Sequence, residues 1–194
     1  MTGARAATSY GERVTAEMAG ELAALGRIIV AGGAYGIEGA AHRAAVTAGA
    51  PTIAVLAGGV DRAYPAGHAQ LLEQIREHGV LISEFPLGSS PTRTRFVARG
   101  RVLAALSGAS TLMESRARSD ALRVMAEALQ LGRGVGRCPC ASTYAAMSRS
   151  VSSSMQWARL ENSSMSVCGT LRITRPGCGR VRAIALPIRH RRAA

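Results

Sequence analysis

Ile28-Ile29-Val30-Ala31-Gly32-Gly33-Ala34-Tyr35-Gly36-Ile37-Glu38-Gly39-Ala40-Ala41-His42 is the stretch that decides the fold. Its first four residues are an apolar, β-branched run of the kind buried in a parallel sheet. Gly32 to Gly36 is a glycine-rich turn, and Ile37 to Ala48 reads as an alanine-rich helix closed by Gly49-Ala50-Pro51. A strand running through glycines into a helix gathers unpaired N–H groups and a positive helix end at one point, which suits a phosphate. The pattern is GGxxGIxxxAH rather than GxGxxG, so it gives no support to a nicotinamide or flavin cofactor.

Outward from this stretch the same design repeats. Thr8 or Ser9 can cap a helix from about Gly11 to Leu25, striped by Val14, Met18, Leu22 and Leu25 and stopped by Gly26. Thr52 to Ala57 is a second buried strand that ends in Gly58-Gly59, followed by an Asp61–Pro65 loop and a helix from about Gly67 to Glu77. Val80 to Glu84 is a third strand. A Pro/Gly/Ser loop leads to a helix over Phe96–Leu106, a fourth strand over Ser110–Glu114, and a last helix capped by Ser119 or Asp120 and stopped by Gly132. Strands alternating with helices at this spacing predict an α/β, Rossmann-like parallel sheet with helices on both faces. Ligands of such sheets collect at the carboxyl ends of the strands. Those ends carry the Gly32-Gly33 and Gly58-Gly59 turns, Glu84 and Glu114.

Charge divides the chain in two. All 24 basic residues are arginine; residues 1–136 hold 14 of them against 11 carboxylates, and residues 137–194 hold 10 against one. The high pI therefore belongs mostly to an irregular arginine-rich tail and says little about the folded part. Cys138, Cys140, Cys168 and Cys178 also fall in the tail, at spacings that match no zinc motif. No apolar run reaches the 18 residues a membrane span requires, and the first residues lack the apolar core of a secretory signal, so a cytoplasmic protein is expected.

GARAAT, GGAYGIEGAAH, AVLAGGVDRAYP, LISEFPLG and RFVARGRVLAALS, in this order, resemble the bacterial DNA-processing protein A (DprA/Smf) family over roughly residues 3–133. The resemblance implies a Rossmann-like domain without a known chemical reaction or cofactor. It would bind single-stranded DNA, form a homodimer, and load a RecA-type recombinase during natural transformation. The family's first strand precedes the GxR loop, so its absence is expected here, where the chain begins almost at Gly3. Arg99-Gly100-Arg101 stands for the family's RNR. Ser119 to Met125 replaces its SGxxxTA loop, and Cys138-Pro139-Cys140 replaces its VPG. The tail, 137–194, reads either as a frame-shifted or decayed segment or as a solvated extension.

The resemblance places Arg5 beside the phosphate-binding rim, where a guanidinium fork can grip two phosphate oxygens. Arg93, Arg95, Arg99 and Arg101 cluster around Phe96, and arginines with one aromatic are the physics of single-strand binding. Phe96 reads alternatively as a core residue at a helix start. Arg99 and Arg101, two apart, cannot share a helix face, so one of them serves structure or a dimer partner. The candidate nucleic-acid-binding set is therefore Arg5, Gly32, Gly33, Gly36, Gly58, Gly59, Arg93, Arg95, Phe96, Arg99 and Arg101. Glu38, in the first helical turn, would repel a phosphate there. His42 reads as a core histidine bonded to a backbone carbonyl, Asp61 as a turn former, and Glu84 as a hydrogen-bonding anchor. Two other functions compete. One is a phosphoribohydrolase of the lysine-decarboxylase-like group, whose PGGxGTxxE string is absent. The other is a non-functional truncated copy with an exposed sheet edge.

Overall fold

The computed structural model describes residues 1–138; the tail expectation lies outside the described residues except at its start, where Arg137 closes a strand and Cys138 is buried rather than irregular. The elements run α1 (Ser9–Ala24), β1 (Ile29–Gly32), α2 (Ile37–Thr47), β2 (Thr52–Val55), a short 3-10 turn (Ala66–His68), α3 (Ala69–His78), β3 (Val80–Ile82), α4 (Arg93–Leu106), β4 (Ala109–Leu112), α5 (Asp120–Gln130) and β5 (Gly134–Arg137). Three of the starts follow side-chain caps. Thr8 accepts from the Gly11 amide, Thr92 from Arg95, and Ser119 from Ala121. The Thr92 cap starts α4 three residues before the expected Phe96, which puts Phe96 in its first turn.

All strand pairs are parallel. β1, β2 and β3 form one sheet in that order, with Ile29 opposite Thr52 and Ile53 opposite Val80. β4 and β5 form a second, with Ala109 opposite Gly134. β5 is a strand that the pattern, ending at Gly132, does not anticipate. Gly134-Val135-Gly136-Arg137 has little strand propensity of its own, and the backbone partners on β4 hold it extended.

The expected gap in the sheet is occupied. Thr2 bridges in parallel to Leu112, with its amide on the Thr111 carbonyl (3.0 Å), and Met113 N–H returns to the Thr2 carbonyl (3.1 Å). On the other side the Met1 amine donates to the Val30 carbonyl at 2.7 Å. Residues 1–4 thus stand between β1 and β4 and join the two sheets. Burial pushes that amine's pKa down to about 6, against a smaller upward pull from the Glu38 carboxylate.

Alternation along the strands builds a core on each face. Val55 and the half-buried Val30 and Ile53 point to α4 and α5, where Leu103, Ala104, Leu112, Val124, Met125 and Val135 close the largest cluster. Ala54, Leu56 and Leu81 pack against Leu71, Leu72 and Ile75 of α3 on the opposite face. Ile29 packs there too, against Ala19 of α1 and Ala41 and Ala45 of α2. The small side chains let α1 and α2 lie close together, as the alanine-rich sequence of α2 requires.

His42, fully buried on α2, ties that helix to the sheet. Its Nε2 lies 3.1 Å from the Gly32 carbonyl and its Nδ1 2.9 Å from the Thr52 hydroxyl. Desolvation is the main cause pushing its pKa down to about 4, so the ring is neutral, held between the Gly32 carbonyl and the Thr52 hydroxyl, which itself donates to the Ile29 carbonyl at 2.8 Å. The sign of the pH effect follows. Between about pH 4 and pH 6.5 the unfolded chain binds a proton that the folded chain does not. The stability from the neutral ring is therefore complete above pH 6.5 and is lost as pH falls toward 4. Urea unfolding at pH 7.5 and pH 5.0 should show a loss of roughly 2 kcal/mol from this group, which a His42→Asn variant, less stable at both pH values, should not show.

Candidate nucleic-acid interface

The glycine turn after β1 already holds an anion, and it is the protein's own. Glu38, in the first turn of α2, accepts from the Ala34 amide at 3.2 Å, and Thr2 Oγ1 lies 3.4 Å from its other oxygen. Arg99 of α4 reaches it with Nη2 at 3.2 Å from both oxygens. Both partners are more than nine-tenths buried. The carboxylate sits where the helix dipole and the free N–H groups favour negative charge. Gly32 is needed because a Cβ there would collide with the Arg99 guanidinium, and Gly36 because its φ is +70° and the Ala4 and Arg5 carbonyls press against it.

This corrects the reading of the glycines as a phosphate cradle. Gly32, Gly33, Gly36, Gly58 and Gly59 are all buried beneath protein atoms. Gly33 packs under Leu56 and Leu72, Gly58 under Ser89 and Pro91, and Gly59 beside Asp61. Asp61 in turn receives the Gly88 amide at 2.9 Å and folds the 86–90 loop over the second turn.

The remaining predicted residues separate. Arg5, Arg93, Phe96 and Arg99 line one cavity of about 460 Å³, which reaches across to the loop after β4. The Arg5 guanidinium lies 4.6 Å from the Phe96 ring centre and that of Arg99 5.4 Å, so two cations lie against the ring. Arg95 and Arg101 do not line it. Arg95 donates to the Ser90 carbonyl at 2.6 Å and covers Phe85 at 4.9 Å. Arg101, two residues from Arg99 and on another side of α4, pairs with Glu84 at 2.6 Å. Phe96, read either as a stacking ring or as a core residue at a helix start, is half-buried and lines the cavity.

Sequence reasoning missed five residues here. Tyr64, half exposed, lies 5.8 Å from Phe96 ring to ring, and Tyr35 sits against His68 with its hydroxyl accepting from Gly67. Tyr64 carries no motif signal, since a tyrosine beside a proline in a loop is ordinary. Arg116, Arg118 and Arg123 line the far wall of the cavity. Their clustering in Arg116-Ala117-Arg118 was legible as a basic loop at a strand end. Glu114, also at that end, is buried and accepts from the Thr8 amide and hydroxyl at 3.0 Å, anchoring the start of α1.

A family model described as DNA recombination-mediator protein A matches residues 1–171. A curated relative, the DNA processing protein DprA of Mycobacterium tuberculosis, is 50% identical over 139 residues, 72% of this chain. The chain spans about a third (36%) of that relative's length. The solved DNA processing protein A from Streptococcus pneumoniae superposes with a TM-score of 0.69 at 33% identity, covering 72% of this chain and 49% of that one. The Helicobacter pylori DNA processing protein A, whose structure concerns its single-stranded DNA binding mode, superposes with a TM-score of 0.71 at 25% identity, over 76% of this chain and 70% of that one.

The Glu38–Arg99 pair makes a stability prediction. Removing the charge from one buried partner strands the other, so Glu38→Gln should lower the unfolding free energy by about 3 kcal/mol. A Glu38→Gln/Arg99→Met double variant should recover part of that loss in the same denaturant titration.

Proposed function

This chain belongs to the DNA recombination-mediator protein A family, and on that premise we propose that it binds single-stranded DNA along the strand-end rim, without turning it over. The observation that carries the reading is Phe96 in contact with the Arg5 and Arg99 guanidiniums, with Tyr64 beside it, in an arginine-lined cavity. Cations meet phosphates and aromatic surface, with Tyr64 half exposed beside Phe96, meets bases, the two contacts that grip a single strand with little regard to sequence. The similarity to a relative studied for its single-stranded DNA binding supports the same partner. Within that reading the protein protects an incoming strand in natural transformation, acts as a homodimer, and passes the strand to a RecA-type recombinase. The carboxylates along the rim are engaged in structure: Glu38 with Arg99, Glu84 with Arg101, Glu114 with Thr8 and Asp61 with Gly88. That engagement supports a binding role over the hydrolysis of a nucleotide.

Anisotropy with labelled oligo-dT tests this. Phe96→Ala should weaken binding by about 1–3 kcal/mol, the worth of one stacked base. Arg5→Ala should weaken it and reduce the salt slope by about one. Both variants keep the arginine-rich tail, so any nonspecific binding by the tail is common to all measurements. Undiminished binding by the double variant refutes the site, and release of free base from a nucleoside monophosphate would favour the phosphoribohydrolase.

A further inference from the structure

The cavity has a second wall that the single-strand reading does not use. The loop after β4 brings Arg116 and Arg118 to the start of α5, and Arg123 follows one turn into that helix; with Arg93 they face the same space. None of these four side chains makes a hydrogen bond or ion pair with the described residues. A further donor is short of a partner: Arg99 is 8% exposed, lines the same cavity, and its Nε has no hydrogen bond. Buried donors left open cost free energy. In all, six guanidiniums face the space against two carboxylates, Glu38 and Asp120, and Glu38 is spent on Arg99.

We propose that this wall takes a nucleotide's phosphate monoester, chiefly the phosphorylated end of a bound strand. The inference rests on the single-strand reading and adds a preference for ends. A volume of about 460 Å³ accommodates a small ligand, about one nucleotide, rather than a long run of backbone. An internal diester offers one charge and two free oxygens. A monoester offers nearly two charges and three strong acceptor oxygens, a better match to several unpaired guanidinium forks at a helix start. No histidine lines the cavity, whose charged groups are arginines and those two carboxylates. Between pH 7.5 and pH 5.5 the ligand gains its second proton near pH 6. The Met1 amine, beside Thr2 and Glu38 and pushed down to about 6, also gains one, which adds positive charge and so cannot be the cause of a shrinking gain.

The test is anisotropy on the full chain with dT oligomers of one length carrying a 5′-phosphate, a 3′-phosphate, or neither. One phosphorylated end should bind roughly ten-fold tighter than the unphosphorylated strand at pH 7.5, as expected for added charge-assisted hydrogen bonds. Which end shows the gain identifies the source of the monoester. The gain should shrink at pH 5.5 and collapse to about one-fold in an Arg116→Gln/Arg118→Asn/Arg123→Gln variant. Asparagine at 118 tolerates the left-handed backbone found there, φ +64°. Equal affinity for all three oligomers, or a gain that survives in the variant, overturns the inference. No binding of the unphosphorylated strand would instead count against the single-strand reading itself.

Discussion

A single buried carboxylate organises the rim of this domain. Glu38 receives the Arg99 guanidinium and the Ala34 amide and lies within reach of the Thr2 hydroxyl, so the first residues, the glycine turn, α2 and α4 converge on it. Those segments come from both faces of the sheet. Without a shared counter-charge, the start of α2 would present unpaired N–H groups and Arg99 would be a bare buried cation. Each is costly alone and tolerable together. The same contact explains why the turn must be glycine where Arg99 crosses Gly32.

The pair also decides what the rim can bind. With the anion position at α2 filled from within, the arginines without a carboxylate partner lie elsewhere, in the cavity between Arg5, Phe96 and the loop preceding α5. That loop is arginine-rich and capped by Ser119, and it faces Arg5 because residues 1–4 stand between β1 and β4. The positive wall is thus assembled from three distant parts of the chain. Its rings are Phe96, at the start of the same α4 that carries Arg93 and Arg99, and Tyr64, from a further part after β2.

Much of the fold was legible because periodicity and punctuation act locally. The apolar runs over Ile29–Ala31, Thr52–Val55 and Val80–Ile82 are β-branched and bounded by glycine or polar turns, and each became a parallel strand. His42 among alanines could only be buried, and it is bonded to a carbonyl as its surroundings demanded. β5 was illegible because its own residues do not favour a strand; β4 supplies the reason for its shape. The bridge by Thr2 was illegible likewise, since three residues carry no period.

The site divides along the same line. Spacing identified a rim of glycines and carboxylates at the strand ends, since an alternating α/β chain leaves its turns nowhere else to lie, and the family resemblance set Arg5 beside it; the arginines around Phe96 were legible as a cluster. These signals could not sort that set. Arg99 turned inward, Arg95 and Arg101 took protein partners, and Arg5 and Arg93 faced the cavity. Whether an arginine is free for a phosphate depends on which carboxylate or carbonyl another segment brings within reach. That is a fact of long-range packing, so only the tertiary structure could decide it.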